Sequence, residues 1–180
     1  MKKKGFSIIV ACDERMGIGR GGALPWHIPS DLKRFKEVTT ASYGVGKNVL
    51  IMGRKTWESI PDRFRPLPSR INVVITSQDD YILPAGVIKA GSLEEALRVY
   101  CDEARDDVGA VFVIGGAQVY AEAIKNILCE RIYLTRIHEV ADCDVFFPKI
   151  PSQFLRTDCS SKKEENKKMF SFNIFSIRRP

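Results

Sequence analysis

The sequence predicts an α/β fold: a twisted, mostly parallel sheet with helices on both faces, finished by an antiparallel hairpin at the carboxyl end. Three observations carry that expectation. Short β-branched apolar runs alternate with amphipathic helical segments through residues 6–128, the order expected of strand–helix–strand units. Glycine stands at two strand-to-helix junctions, Gly53 and Gly115-Gly116, where open α/β sheets bind ligands. Residues 132–137 and 170–177 alternate apolar and polar side chains, as antiparallel strands at a half-solvated edge do. With 180 residues, 44% of them hydrophobic, one domain over residues 1–180 can bury roughly 70% of its extended-chain surface.

The first strand is residues 6–12. Its apolar run is short and meets Asp13-Glu14-Arg15 without a small-residue cleavage pattern, so Lys2-Lys3-Lys4 before it do not make a signal peptide. A glycine-rich loop, residues 16–22, is long enough to move, and a helix over residues 31–40 follows with Ser30 as its N-cap. Residues 48–52 form a buried strand, residues 54–60 a short helix and residues 71–76 another β-branched strand. Ser92 and Glu95 make a capping box that opens a helix burying Leu93, Ala96, Leu97 and Tyr100. Residues 110–114 are a strand, Gly115-Gly116 a sharp turn and residues 118–128 a helix.

Composition narrows the function classes. No stretch approaches a membrane span. The five cysteines are an odd number, widely spaced and without a C-x-x-C pair; this pattern favours a reducing, cytoplasmic setting and argues against a disulfide framework, a zinc site or any other bound metal. Cys12 reads as core filler, and His27 and His138 as loop or edge residues. A net charge of +6 favours anionic partners. However, the basic pairs Lys162-Lys163, Lys167-Lys168 and Arg178-Arg179 crowd the carboxyl end, two of them beside Glu164-Glu165. A solvated face explains them, and nucleic-acid binding is not expected without an accompanying motif. A basic nucleic-acid-binding module stands as the nonenzymatic alternative, distinguishable by steep salt dependence.

The most informative residue is Asp31. It follows Ala23-Leu24-Pro25-Trp26-His27-Ile28-Pro29-Ser30, an aromatic and apolar run that brings the carboxylate into its helix against greasy surface. Leu32 and Phe35 flank it on one helical face. Such an acid could hold a flat, polar heterocycle. Placement in the first helical turn is also favoured by the macrodipole alone, and that structural reading stays open on spacing.

The two glycine sites point to phosphate. Met52-Gly53-Arg54-Lys55-Thr56 aims backbone N–H groups and a helix N-terminus at one point, with two bases beside it, and Ile114-Gly115-Gly116-Ala117-Gln118 repeats the device. Neither is a Walker loop or a G-x-G-x-x-G fingerprint. Each alone reads as a tight turn. Together they suggest a bridging pyrophosphate, with an extra phosphate near Arg54 and Lys55.

These residues carry a family resemblance. The chain resembles dihydrofolate reductase through Met16-Gly17-Ile18-Gly19 leading to Leu24-Pro25-Trp26, through Asp31 five residues after that Trp, and through residues 52–61. Further matching blocks are Arg65-Pro66-Leu67-Pro68-Ser69-Arg70-Ile71-Asn72, residues 113–120 and Tyr133-Leu134-Thr135. The resemblance implies an eight-stranded sheet and the NADPH-dependent reduction of dihydrofolate to tetrahydrofolate. Hydride would go to pterin carbon 6 and a proton to nitrogen 5, in the service of one-carbon metabolism and thymidylate synthesis. It implies inhibition by antifolates such as methotrexate and trimethoprim. It also implies that Asp31 hydrogen-bonds the pterin and supports protonation, that Thr135 bonds this carboxylate, and that Trp26 helps hold a water nearby. Ile9, Val10, Leu24, Leu32, Phe35 and Ile60 would wall the rings with Ile114 beside them, and Arg70 would grip the glutamate tail.

For the cofactor, the resemblance implies backbone contacts from Ala11 and Ile18, a mobile lid over residues 13–24, and phosphate contacts from Gly53, Arg54, Lys55 and Thr56. Thr76 and Ser77 would flank the adenosine, and Gly115, Gly116, Ala117, Gln118, Val119 and Tyr120 would form the second phosphate turn, with a cis Gly115–Gly116 link. Departures qualify the match. The Trp-to-acid spacing looks bacterial or protozoal, whereas residues 60–67 carry the longer eukaryotic segment. Ser77 and Gly91 stand where vertebrate members place extra bases, so NADPH preference rests on Arg54 and Lys55. Ala117-Gln118 after the glycine pair reads as neutral. A monomer or weak oligomer is expected, and a natural continuation into thymidylate synthase stays open. A second enzyme reading is a pyrimidinone reductase of riboflavin synthesis on the same fold; Asp31 with Arg70 discriminates, because that substrate has no glutamate tail.

Overall fold

A computed structural model describes residues 4–41, 46–101 and 107–178; Lys2, Lys3 and Arg179 of the basic clusters lie outside them. Among the described residues the strands are β1 (Phe6–Cys12), β2 (Gly17–Gly19), β3 (Lys47–Gly53), β4 (Ile71–Ile75), β5 (Val87–Ala90) and β6 (Val108–Val113), followed by β7 (Cys129–Ile137), β8 (Val145–Phe146), β9 (Phe154–Cys159), β10 (Lys163–Glu165) and β11 (Lys168–Ile177). The helices are α1 (Pro29–Thr40), α2 (Arg54–Ser59), α3 (Leu93–Tyr100) and α4 (Ala117–Ala123), with a 3₁₀ turn at Asp62–Phe64.

The main sheet runs in the order β10-β11-β7-β1-β6-β3-β4-β5, and β9 also pairs with β11. β10 bonds residues 168–170 of β11 and β9 bonds residues 173–177, both on the edge away from β7. Nine strands therefore occupy eight positions, in keeping with the implied eight. From β7 to β5 every pairing is parallel, and β11 and its partners are antiparallel.

Strand alternation sorts the core into two layers. Ile8, Val10 and Cys12 of β1, with Val49, Ile51 and Val73, pack behind the sheet against Leu93, Ala96, Leu97 and Tyr100 of α3 and Val119, Tyr120 and Ala123 of α4. Ile9, Leu50, Met52, Val74 and Phe112 face forward against Trp57 of α2 and Phe35 and Val38 of α1. Trp26, Ile28, Ile137, Phe170 and Phe172 extend the front layer toward β11. Helices thus cover both faces, as expected.

Local differences have physical causes. Helix α1 begins at Pro29 with Ile28 as N-cap, so Ser30 is not the cap. Proline suits the first helical position because its missing N–H needs no partner, and the Ser30 N–H donates to Glu165 Oε2 at 2.9 Å instead. Helix α4 ends at Ala123 rather than near residue 128. The N–H groups of Lys125 and Asn126 turn back to Glu122 and Ala123, tightening the chain, and Asn126 Oδ1 accepts from the Leu128 N–H at 2.9 Å. The glycine-rich loop contains β2, which pairs with β8. The capping serine behaves as expected: Ser92 Oγ accepts from the Glu95 N–H at 3.0 Å, and Glu95 reaches back to the Gly91 N–H at 2.7 Å.

Candidate active site

Parallel pairing sets Ala11 of β1 opposite Thr135 of β7, and α1 crosses in front of them. Asp31 stands at the third position of α1, where Thr135 Oγ1 donates to its Oδ1 at 2.6 Å. Burial pushes the Asp31 carboxyl above the usual carboxylate range, against the opposing pull of the Thr135 hydrogen bond and the Arg34 cation. Trp26 is buried nearby in the chain, and its Nε1 is the one fully buried side-chain polar atom without a hydrogen-bond partner among the described residues. An indole donor in that state fits a bridging water or ligand atom.

Apolar side chains share this face of the sheet. Ile9, Phe35, Ile60 and Ile114 belong to the front layer, while Leu24 and Leu32 are each half exposed. Val10 departs from the expected wall: its side chain lies in the back layer, so only its backbone is available in front. At the far end of α1, Arg70 is buried. Its Nη1 donates to Thr39 Oγ1 at 2.7 Å and its Nε to the Pro68 carbonyl at 2.9 Å. The guanidinium lies 5.9 Å from the Phe35 ring centroid. No carboxylate pairs with it among the described residues, and burial pulls its pKa down. A buried cation held only by neutral acceptors is a ready seat for an external carboxylate.

The glycine junctions meet at the carboxyl ends of β3 and β6. The Gly53 N–H donates to the Gly115 carbonyl at 2.8 Å, and the Gly115–Gly116 link is cis, as expected. A Cβ at Gly116 would lie 3.2 Å from Thr56 Oγ1; at Gly115, where φ is +124°, it would lie 3.3 Å from the same oxygen and from the Tyr120 ring. Side chains would therefore fill the cradle, and glycine keeps it open. Ala117 and Gln118 begin α4, with Val119 and Tyr120 buried behind; the Tyr120 hydroxyl donates to the Ile9 carbonyl at 2.8 Å. Thr76 is buried and accepts from the Gln78 N–H, whereas Ser77 is exposed. Arg54 is engaged with Glu58 one turn on, at 2.8 and 3.0 Å, and lies over the Tyr81 ring. Lys55 remains the exposed cation at the start of α2. Ile18, on β2, is partly buried against the back layer.

Sequence reasoning missed Asp13. Its carboxylate is fully buried and accepts from the N–H groups of Arg15 (2.8 Å), Gly17 (2.6 Å) and Ala141 (2.9 Å). It thereby ties the loop after β1 to the segment after β7. Glu58 was also missed, and its signal was available: it stands four residues after Arg54 on one helical face. Cys12 is buried, with its thiol pushed up to about 11, which suits core filler. Among the described residues no group of three or more His, Cys, Asp and Glu could hold a metal, and no helix is long and apolar enough to cross a membrane.

Comparison with known proteins agrees with this geometry. A family model described as "Dihydrofolate reductase" matches residues 5–179. The chain is 39% identical to the Drosophila melanogaster dihydrofolate reductase over 94% of its own length and 96% of that protein. It is 46% identical to the bifunctional dihydrofolate reductase-thymidylate synthase of Zea mays over 82% of its length, and it spans only 29% of that protein. The solved Schistosoma mansoni dihydrofolate reductase superposes with a TM-score of 0.85 at 38% identity, covering 98% of this chain and all of that one. The match spans both glycine junctions, Asp31 and Thr135, and the chain belongs to the dihydrofolate reductase family, oxidoreductases that use a nicotinamide cofactor.

Proposed function

We propose that this chain reduces 7,8-dihydrofolate to tetrahydrofolate with NADPH. The observation that supports this most is the Asp31–Thr135 pair, a carboxylate held at 2.6 Å on the face of the sheet that carries Ile9, Phe35 and Ile60. Thr135 fixes one carboxylate oxygen and leaves the other for the 2-amino group and N3 of the pterin. Trp26 donates to a water that links this carboxylate to the ring. The apolar walls exclude bulk solvent from the reacting face, and Arg70 receives the glutamate carboxylate through the free part of its guanidinium.

When bound, the nicotinamide cofactor supplies the hydride that passes to pterin carbon 6. The glycines at 53, 115 and 116 let backbone N–H groups approach its pyrophosphate, with Thr56 beside them, and Ala11 and Ile18 offer backbone to the carboxamide. Lys55, and Arg54 if freed from Glu58, would hold the 2′-phosphate. Thr76 and Ser77 border the adenosine. Asp31 favours protonation at nitrogen 5, and burial holds its carboxyl above the usual carboxylate range.

Every group in this scheme lies within residues 9–135, so the reductase activity belongs to this chain whether or not it continues naturally into a thymidylate synthase domain. The test is the loss of NADPH absorbance on adding dihydrofolate, with methotrexate as the inhibitor control and NADH as the alternative donor. Rapid, methotrexate-sensitive oxidation of NADPH, slower with NADH, is the expected result. Cofactor binding without turnover would overturn the substrate and favour a tail-less pyrimidinone.

A further inference from the structure

A second cleft opens behind the carboxyl-terminal strands, on the face of the sheet opposite Asp31. Its volume is about 410 Å³. Along β7 and β11 the side chains of Thr135, Ile137, Phe170 and Phe172 face α1 or the front layer; the alternate residues Leu134, Arg136, Ser171, Asn173 and Phe175 line this back cleft. Arg156 and Lys162 close it from the edge strand and the turn after it.

Three cations therefore line the cleft against one carboxylate, Glu14. Arg136 Nη1 rests on the Asp13 carbonyl at 3.1 Å and the Met16 sulfur at 3.3 Å, and no ion pair to Arg136, Arg156 or Lys162 occurs among the described residues. The one carboxylate in the lining, Glu14, is engaged by His138 Nδ1 at 2.9 Å. The floor is polar: His138 Nε2 shares a hydrogen bond with Ser171 Oγ at 2.9 Å, and Asn173 Nδ2 donates to the same oxygen at 3.3 Å. Leu134 and Phe175 supply an apolar wall. Ser171 does not serve as a nucleophile, because it sits buried in mid-strand.

We propose that this cleft binds a small phosphate monoester, its dianion among Arg136, Arg156 and Lys162 and its ester group against Phe175. Three cations against the single Glu14 carboxylate leave the cleft with excess positive charge, and a dianion with three acceptor oxygens offsets that excess better than a carboxylate does. The site also reaches the loop after β1, since Arg136 holds Asp13 and Met16 and His138 holds Glu14.

The test is a titration of the ¹⁵N-labelled chain with phenyl phosphate and, separately, with inorganic phosphate, read by amide chemical shifts. The expected result is saturable shifts at Ser160, Ser171 and Asn173, extending to Glu14 and Gly17, with phenyl phosphate saturating at several-fold lower concentration. A doubly reversed variant, R156E/K162E, alters two exposed side chains. It should weaken binding about tenfold or more while leaving shifts elsewhere unchanged. Shifts confined to Gly53–Thr56 and Gly115–Gln118, or saturation unaltered in R156E/K162E, would overturn the site. Equal saturation by the two ligands would overturn its assignment to a monoester.

Discussion

Asp31→Asn is expected to stabilise the fold at neutral and mildly alkaline pH while removing most of the activity. Burial outweighs both Thr135 and Arg34 in setting the Asp31 pKa, so the ionised carboxylate is net unfavourable in the folded chain. Asparagine has nearly the same shape and keeps an oxygen to accept from Thr135. The substitution gives up the charged part of that hydrogen bond, about 1 kcal/mol, and a favourable interaction with the α1 N-terminus of about 0.3–1 kcal/mol. It removes a desolvation cost of several kcal/mol per fully buried ion, reduced here because Asp31 is only partly buried. The net gain is on the order of 1 kcal/mol, or about 2–4 °C in Tm for a chain of this size. The pH dependence follows from the direction of the shift. An acid whose folded pKa is raised contributes stability that is fully present below its unfolded pKa and lost as pH rises through the folded value. Asp31 is thus harmless at low pH, and the advantage of D31N appears only above the ordinary carboxylate range. Thermal unfolding of both proteins from about pH 4 to about pH 8 measures this directly. A variant less stable at the upper end, or a Tm difference that does not change with pH, would refute the reasoning.

Arg70→Lys should raise KM for dihydrofolate about ten- to a hundredfold, the loss of a charged hydrogen bond, with kcat nearly unchanged because the tail contact is the same in ground and transition states. A pteridine without the glutamate tail should be insensitive, and equal losses on both substrates would contradict the assignment. Gly115→Ala, at a φ of +124° and 3.3 Å from Thr56 Oγ1, should cost about 1–3 kcal/mol and weaken NADPH binding measured by fluorescence. Wild-type Tm and Kd would remove the close-approach argument. Asp13→Ala should cost about 2–4 kcal/mol by stranding three backbone donors and should accelerate hydrogen exchange at Gly17 and Ala141. Unchanged exchange there would show that the carboxylate does not tether the loop.

Five of the six strands of the parallel core, β1, β3, β4, β6 and β7, were legible because β-branched runs bounded by turn residues leave few alternatives, whereas the four-residue β5 was not read as a strand. Helix α3 was legible too, since its serine cap and four buried positions were all readable. Legibility failed where long-range partners decide the outcome. Nothing local says that the Ser30 N–H will bond Glu165, 135 positions away, and a proline at the first helical position displaces the apparent cap. Helix α4 was overextended because apolar spacing continues through Ile127, which the turn leaves 90% exposed. Strand β9 carries one buried residue followed by five exposed ones, so it shows no alternation; it exists because β11 offers an edge. At the site, Asp31, Thr135 and the glycine cradle were recognisable from matching motifs. Asp13 was not, since its three partners are backbone groups of distant or irregular segments, and Val10 was misjudged because its layer follows from strand register.

The central claim is that a partly buried Asp31 carboxylate supports protonation of the pterin while Thr135 fixes its orientation. Single-turnover hydride transfer, followed against pH for wild type and D31N with deuterated NADPH to identify the step, tests it most directly. The expected wild-type rate falls as pH rises through an elevated apparent pKa, and D31N is slower at neutral pH by about a hundredfold or more and lacks that titration. Equal rates for the two proteins across the range, with the same pH profile, would contradict the account.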